Sequence, residues 1–170
     1  MFVTAAVGIL AAAAVPQLNS TIERTRAIGA ARYLAARLAL ARSQAVARSA
    51  NVALLLTVAG NGATVAMYVD ANGNGVRTRD IAAGIDRPAA APVHLTDLFP
   101  HVVLSINDPS GSLTTTSALM SFTPLGTATS GTLYLRGRDG SQYAVRVLGA
   151  TGRTRVLRYA AASRTWVEVL

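Results

Sequence analysis

Residues 2–15 read FVTAAVGILAAAAV, an uncharged apolar run closed by Pro16. As a helix the run would measure roughly 21 Å, short of the ~30 Å hydrocarbon core of a bilayer. QLNSTIERTR follows the proline with no small-residue cleavage pattern, and helical patterning resumes. From Thr21 to about Ser49, Ala27, Ala31, Leu34, Leu38, Ala41 and Ala45 recur at alternating spacings of four and three. Such spacing predicts one apolar stripe along an amphipathic helix. Arg26, Arg37 and Arg48 repeat every eleven residues on a different face, and Gly29 is the one weak helix former.

After Asn51 the period changes. Short β-rich runs appear at 52–58, 64–69, 102–106, 119–122, 132–136, 142–148, 154–159 and 165–169. Between them lie GNG, NGNG, NDPSG, PLG, RDG and ATG, all residues that tight turns favour. The segment 71–100, rich in Ala, Gly and Pro, reads as a surface excursion. The predicted fold class is therefore α+β: a long N-terminal helix followed by an antiparallel β-sandwich-like domain. The expected division is 1–50 for the helix, apolar over 1–18 and amphipathic over 19–50, and 51–170 for the β domain.

Composition narrows the chemistry. With 170 residues, 51% hydrophobic and 14% charged, the chain can bury a sizeable core. Cysteine is absent, which removes disulfides, thiolate catalysis and cysteine-ligated metals. Every one of the sixteen basic residues is arginine, so no phosphate-loop, Schiff-base or Ser–Lys lysine exists. His94 and His101 are the only histidines, and no nucleophile elbow or triad order surrounds them. The expectation is a non-enzyme that needs no cofactor and takes no small-molecule substrate.

Charge is unevenly placed. Residues 19–50 carry six arginines against Glu23, for +5. Residues 51–135 carry three against five aspartates, for −2, and 136–170 carry seven against Asp139 and Glu168, for +5. Two basic ends point to an anionic partner. At the C-terminal end Arg146, Arg153, Arg155, Arg158 and Arg164 are interleaved with Tyr143, Tyr159 and Trp166. Guanidinium groups can contact phosphates bidentately, and strand alternation places Arg153 and Arg155 on one face. The competing reading is that these arginines merely rim a β-sandwich.

One loop has metal-like spacing. Asp70, Asn72 and Asn74 match the opening of an EF-hand calcium loop, with Val76 at the seventh position and Thr78 at the ninth. The twelfth position, where a bidentate Glu belongs, is Ile81, and Arg77 and Arg79 bring positive charge. Asn-Gly pairs also suit a turn with positive φ, and the turn is the stronger expectation.

Taken in order, several segments resemble one family. GILAAAAVP (8–16) is similar to the end of the type IV pilin N-terminal segment. ARYLAARLALARSQAVARSANVALLL (31–56) resembles the helix-to-strand signature of the GspH/FimT minor pilins and pseudopilins. YVDANGNGVRTRDI (68–81), SFTPLGTATSGTLYL (121–135) and GRTRVLRY (152–159) resemble that family's loop, its Phe-x-x-x-Gly strand and its Gly-Arg-x-Arg segment. The resemblance implies a structural subunit of a type II secretion or type IV pilus filament. Its helix stripe (Ala27, Ala31, Leu34, Leu38, Ala41, Ala45) would pack against other pilins. The subunit would sit single-pass in the bacterial inner membrane, with its globular domain in the periplasm or at the filament tip. The alternative it implies is a DNA-binding minor pilin for DNA uptake, contacting double-stranded DNA through Gly152, Arg153, Arg155, Arg158 and Arg146. A prepilin leader encoded upstream of Met1 is a further expectation.

Overall fold

The computed structural model describes residues 2–59, 62–106 and 116–169, with side chains from 21 onward except at 116 and 117. Helix α1 runs unbroken from Phe2 to Arg48, through Pro16. β1 (Val52–Ala59), β2 (Gly62–Val69), α2 (Thr78–Ala82), β3 (Arg87–Pro88), β4 (Val93–His94), α3 (Leu95–Leu98) and β5 (Val103–Ile106) follow. The chain continues with β6 (Thr116–Phe122), β7 (Gly131–Arg136), β8 (Gln142–Leu148), β9 (Arg153–Ala160) and β10 (Thr165–Glu168).

The strands form two antiparallel sheets. One has the order β3-β2-β1-β6, with β4 also on the β2 edge; the other is β10-β9-β8-β7-β5. In β1, Val52, Leu54, Leu56 and Val58 alternate inward. In β8, Tyr143, Val145 and Val147 do the same, as period-two patterning requires. The excursion at 71–100 is built rather than loose. It contributes two short helices and two two-residue strands, and the strands extend the first sheet.

Helix α1 closes the core between the sheets. Ala27, Ala31, Leu34, Leu38, Ala41 and Ala45 are all fully buried in one cluster with Val52, Leu54, Phe122, Leu133, Val145 and Val156. The sequence expectation that this stripe packs against other pilins is corrected here. Small alanines do permit close approach, but the surface that approaches is the chain's own pair of sheets. Gly29 likewise is a seat rather than a flaw. A Cβ there would lie 3.0 Å from the Phe99 ring, and Phe99 packs at 5.8 Å (centroid to centroid) from Tyr33.

The apolar run at 2–15 lies outside the residues whose side chains are described. Among the described residues no helix is long and apolar enough to cross a membrane.

Because the stripe is core, replacing Leu34 with Arg is expected to unfold the domain, not merely to block assembly. A milder Leu38→Ala is expected to cost about 2–5 kcal/mol. Thermal melts of the two variants check this, and a Leu34→Arg protein that melts like wild type would refute it.

Candidate functional site

The candidate positions separate into an acidic loop, a helix-to-turn joint and an arginine-bearing sheet face. In the loop, Asp70 Oδ1 accepts hydrogen bonds from the backbone amides of Asn72 (3.2 Å) and Gly73 (2.9 Å). Its Oδ2 accepts from the Gly75 amide (2.7 Å) and from Asn51 Nδ2 (2.9 Å). Asp86, buried beside it, accepts from the amides of Ala71 (3.3 Å) and Arg77 (3.0 Å). Gly73 and Gly75 take φ of +76° and +87°, a conformation glycine adopts without strain.

This geometry gives Asp70, Asn72 and Asn74 the turn-holding role that was the stronger expectation. Both Asp70 oxygens are occupied by N–H donors, and Asn72 Oδ1 caps the Asn74 amide at 3.2 Å. No group of three or more His, Cys, Asp or Glu side chains assembles as a metal site among the described residues. Sequence reading found Asp70 but missed Asp86 and Asn51. Nothing in their spacing marks them, because they converge only when β1, β2 and the excursion meet.

The joint involves both glycines of the Phe-x-x-x-Gly and Gly-Arg-x-Arg segments. Arg42, on α1, donates from Nε to the Gly126 carbonyl at 3.0 Å. Gly126 and Gly152 have φ of +79° and +60°. A Cβ on Gly152 would collide with the Gly126 carbonyl and crowd Arg42. The expected DNA contact at Gly152 is thus corrected. It is buried and serves close packing, while Arg42, which the sequence reading did not single out, holds the joint together.

The arginines divide by strand alternation. Since Val145, Val147 and Val156 face the core, Arg146, Arg153 and Arg155 share the opposite, outward face of the second sheet. Arg146 stands directly across from Arg155, and Leu148 across from Arg153. Arg155 pairs with Glu168 at 3.2 Å, both half-exposed, while its Nε is buried with no hydrogen-bond partner. Arg158 departs from the expected set. It falls on the inward side opposite Tyr143, in a cleft shared with Arg24 at the other end of the sheet. His94 is an edge residue whose Nδ1 lies 3.0 Å from Thr64 Oγ1.

Helix, two sheets and glycine joint together define a protein whose β domain is built around the C-terminal half of a long N-terminal helix. Residues 30–152 match the family described as "Type II transport protein GspH", and the chain belongs to that family. The fold resembles the minor pseudopilin EpsH from the type 2 secretion system of Vibrio cholerae. That similarity has a TM-score of 0.56 at 14% identity, over 78% of this chain and 97% of that one. The type IV minor pilin FimU of Pseudomonas aeruginosa aligns over 78% of this chain and 88% of its own, with a TM-score of 0.47 and 22% identity. No curated protein matches the sequence.

The acidic loop gives a pH dependence. Burial pushes the Asp70 carboxyl up. The hydrogen bonds from Asn51 and from the amides of Gly75, Gly73 and Asn72 more than offset this, so it titrates below its ordinary value of 3.8. A lowered folded value means that the contribution to stability is complete above the ordinary carboxylate range. It is lost as pH falls from there through the folded value. Asp70→Ala is expected to cost about 2 kcal/mol at neutral pH by orphaning the amides. The variant should also lose less stability than wild type between neutral pH and pH ~3. Urea unfolding at a series of pH values measures both effects.

Proposed function

We propose that this protein is a structural minor subunit of a type II secretion or type IV pilus filament. In this reading it is held single-pass in the bacterial inner membrane by its N-terminal helix before assembly. Its β domain then lies in the periplasm or at the filament tip. The observation that carries the reading is the division of labour along α1. The helix is continuous from Phe2 to Arg48, yet its described core residues begin only at Ala27. The described residues just before it, 21–26, add nothing to that core, and family membership supports assembly into a filament.

With the alanine–leucine stripe turned inward, contact with a neighbouring subunit in the packed half of the helix falls to another flank. Ala36, Ala39, Ser43, Val46 and Ala47 are exposed and line an open groove of about 710 Å³ between α1 and the start of β9. The chain has no cysteine of its own. A short photo-crosslinker attached at Ala39→Cys is therefore expected to capture neighbouring subunits in assembled filaments. The same label at the exposed Arg77→Cys, on the excursion, should capture few. Equal capture from both positions would show that the groove is not an assembly face.

A second reading, DNA binding for uptake, has one observation in its favour. Arg146 and Arg155 lie directly opposite each other with Arg153 on the same face, and among the described residues Glu168 is the one acid paired with the three. Like charges placed opposite are unfavourable unless an anion joins them. Three phosphate contacts would give a log–log salt slope of about −3 for double-stranded DNA. The double variant Arg146→Gln/Arg153→Gln should bring the slope to about −1. Arg77→Gln/Arg79→Gln should leave it unchanged. Salt titrations by gel shift decide, and binding that ignores Arg146 and Arg153 leaves only the assembly role.

A further inference from the structure

We propose that the end of the β domain surrounding the helix stem is a docking surface for the headgroups of an anionic phospholipid bilayer, with Trp166, Tyr159 and Tyr134 at its boundary. The inference rests on the membrane-held reading above and adds where, and by what chemistry, the domain meets the lipid.

Two turns of the second sheet come down beside the helix where it enters the domain. The β7–β8 turn packs there, since a Cβ on Gly137 would lie 3.1 Å from Ala27 Cβ. Arg24 shares a cleft with Asp139–Tyr143 of that turn and with Arg158–Ala162, which lead into the β9–β10 turn. Arg24, Arg138, Arg158 and Arg164 are thereby gathered at one end, all at least partly exposed, and none makes an ion pair among the described residues. The acids nearby are engaged. Asp139 Oδ1 accepts from the amide (3.1 Å) and hydroxyl (2.7 Å) of Ser141, and Glu23 pairs with Arg26 at 2.8 Å.

The aromatic cluster lies at the same end. Trp166 and Tyr159 are cross-strand partners next to the β9–β10 turn, and the Trp166 ring is 5.3 Å from Tyr159 and 5.5 Å from Tyr134. Trp and Tyr rings with one polar edge settle at the headgroup level of bilayers. Each arginine near an anionic membrane surface strengthens association roughly five-fold.

The helix supplies the spacing. From Val15, the last residue of the apolar run, to Arg24 is about 14 Å along α1. That distance carries the chain through a headgroup layer of roughly 5–8 Å and sets the two turns just above it. A bilayer suits this end better than nucleic acid. The rings are tilted 55° against one another rather than presenting parallel faces for stacking, and the apolar run emerges from the same end.

Trp166 is the only tryptophan, so its fluorescence reports this surface directly. The full chain would be reconstituted into vesicles of phosphatidylcholine alone or mixed with phosphatidylglycerol, each doped with a lipid brominated near the headgroup. We expect Trp166 to blue-shift and be quenched in the anionic vesicles only, and the effect to weaken with salt. The triple variant Arg138→Gln/Arg158→Gln/Arg164→Gln should lose most of the quenching at an unchanged melting temperature. Arg153→Gln, at the opposite end of β9, should keep it. If the triple variant melts early, the salt titration of the wild-type chain makes the same decision. An unquenched Trp166 in chains that float with both kinds of vesicle overturns this inference and leaves the filament reading standing. Chains that fail to float overturn the membrane-held reading itself. Quenching that survives the triple variant while double-stranded DNA binding is lost would reassign these arginines to nucleic acid.

Discussion

The structure depends on one packing arrangement: the alanine–leucine stripe of α1 lying against both sheets at once. Alanine at four of six stripe positions lets the helix axis come close enough for each sheet's inward valines and leucines to reach it. Without that helix the inner face of each sheet would meet water, since the two five-stranded sheets share α1 as a common filling. The wall made by α1 also fixes which faces are left for partners: an open flank with a groove, and the outward side of the second sheet.

Much of this architecture was legible in the sequence. The 3.6-residue period of the helix, the switch to period two at Asn51 and the turn chemistry placed eight of the strands within a residue or three of their positions. The two-residue strands β3 and β4 were not legible. Arg87–Pro88 and Val93–His94 are too short to carry a pattern, and they become strands only because the edge of β2 offers them partners. What covers the stripe was likewise illegible from periodicity. An apolar face shows that it will be covered, not whether the cover belongs to the same chain.

The candidate sites were legible in part for the same reason. Alternation placed Arg153 and Arg155 on one face, as found, and the same alternation carries Arg158, three residues beyond Arg155 on the same strand, to the other face. Arg158 joined the wrong group because closeness in sequence was weighed above strand phase. Gly152 shows a different limit. A glycine beside arginines reads as room for a ligand, whereas here the room is filled by the Gly126 carbonyl and the Arg42 side chain. Asp70 was visible as a polar loop residue, yet its role followed from donors on two separate segments, Asn51 and residues 72–75.

The pair of carboxylates at the base of the excursion separates two properties that are usually linked, the length of a loop and the integrity of the sheet beneath it. Asp70 and Asp86 hold the amides of residues 71, 72, 73, 75 and 77, so the entry and exit of the loop are clasped at its neck. Everything outside the clasp, including α2 and the turn after it, hangs from a fixed frame. Closing a longer loop on such a frame costs little, since closure entropy grows only with the logarithm of length. The excursion is thus the place where related chains can lengthen, shorten or recharge their surface while the paired edge of β2 stays as it is.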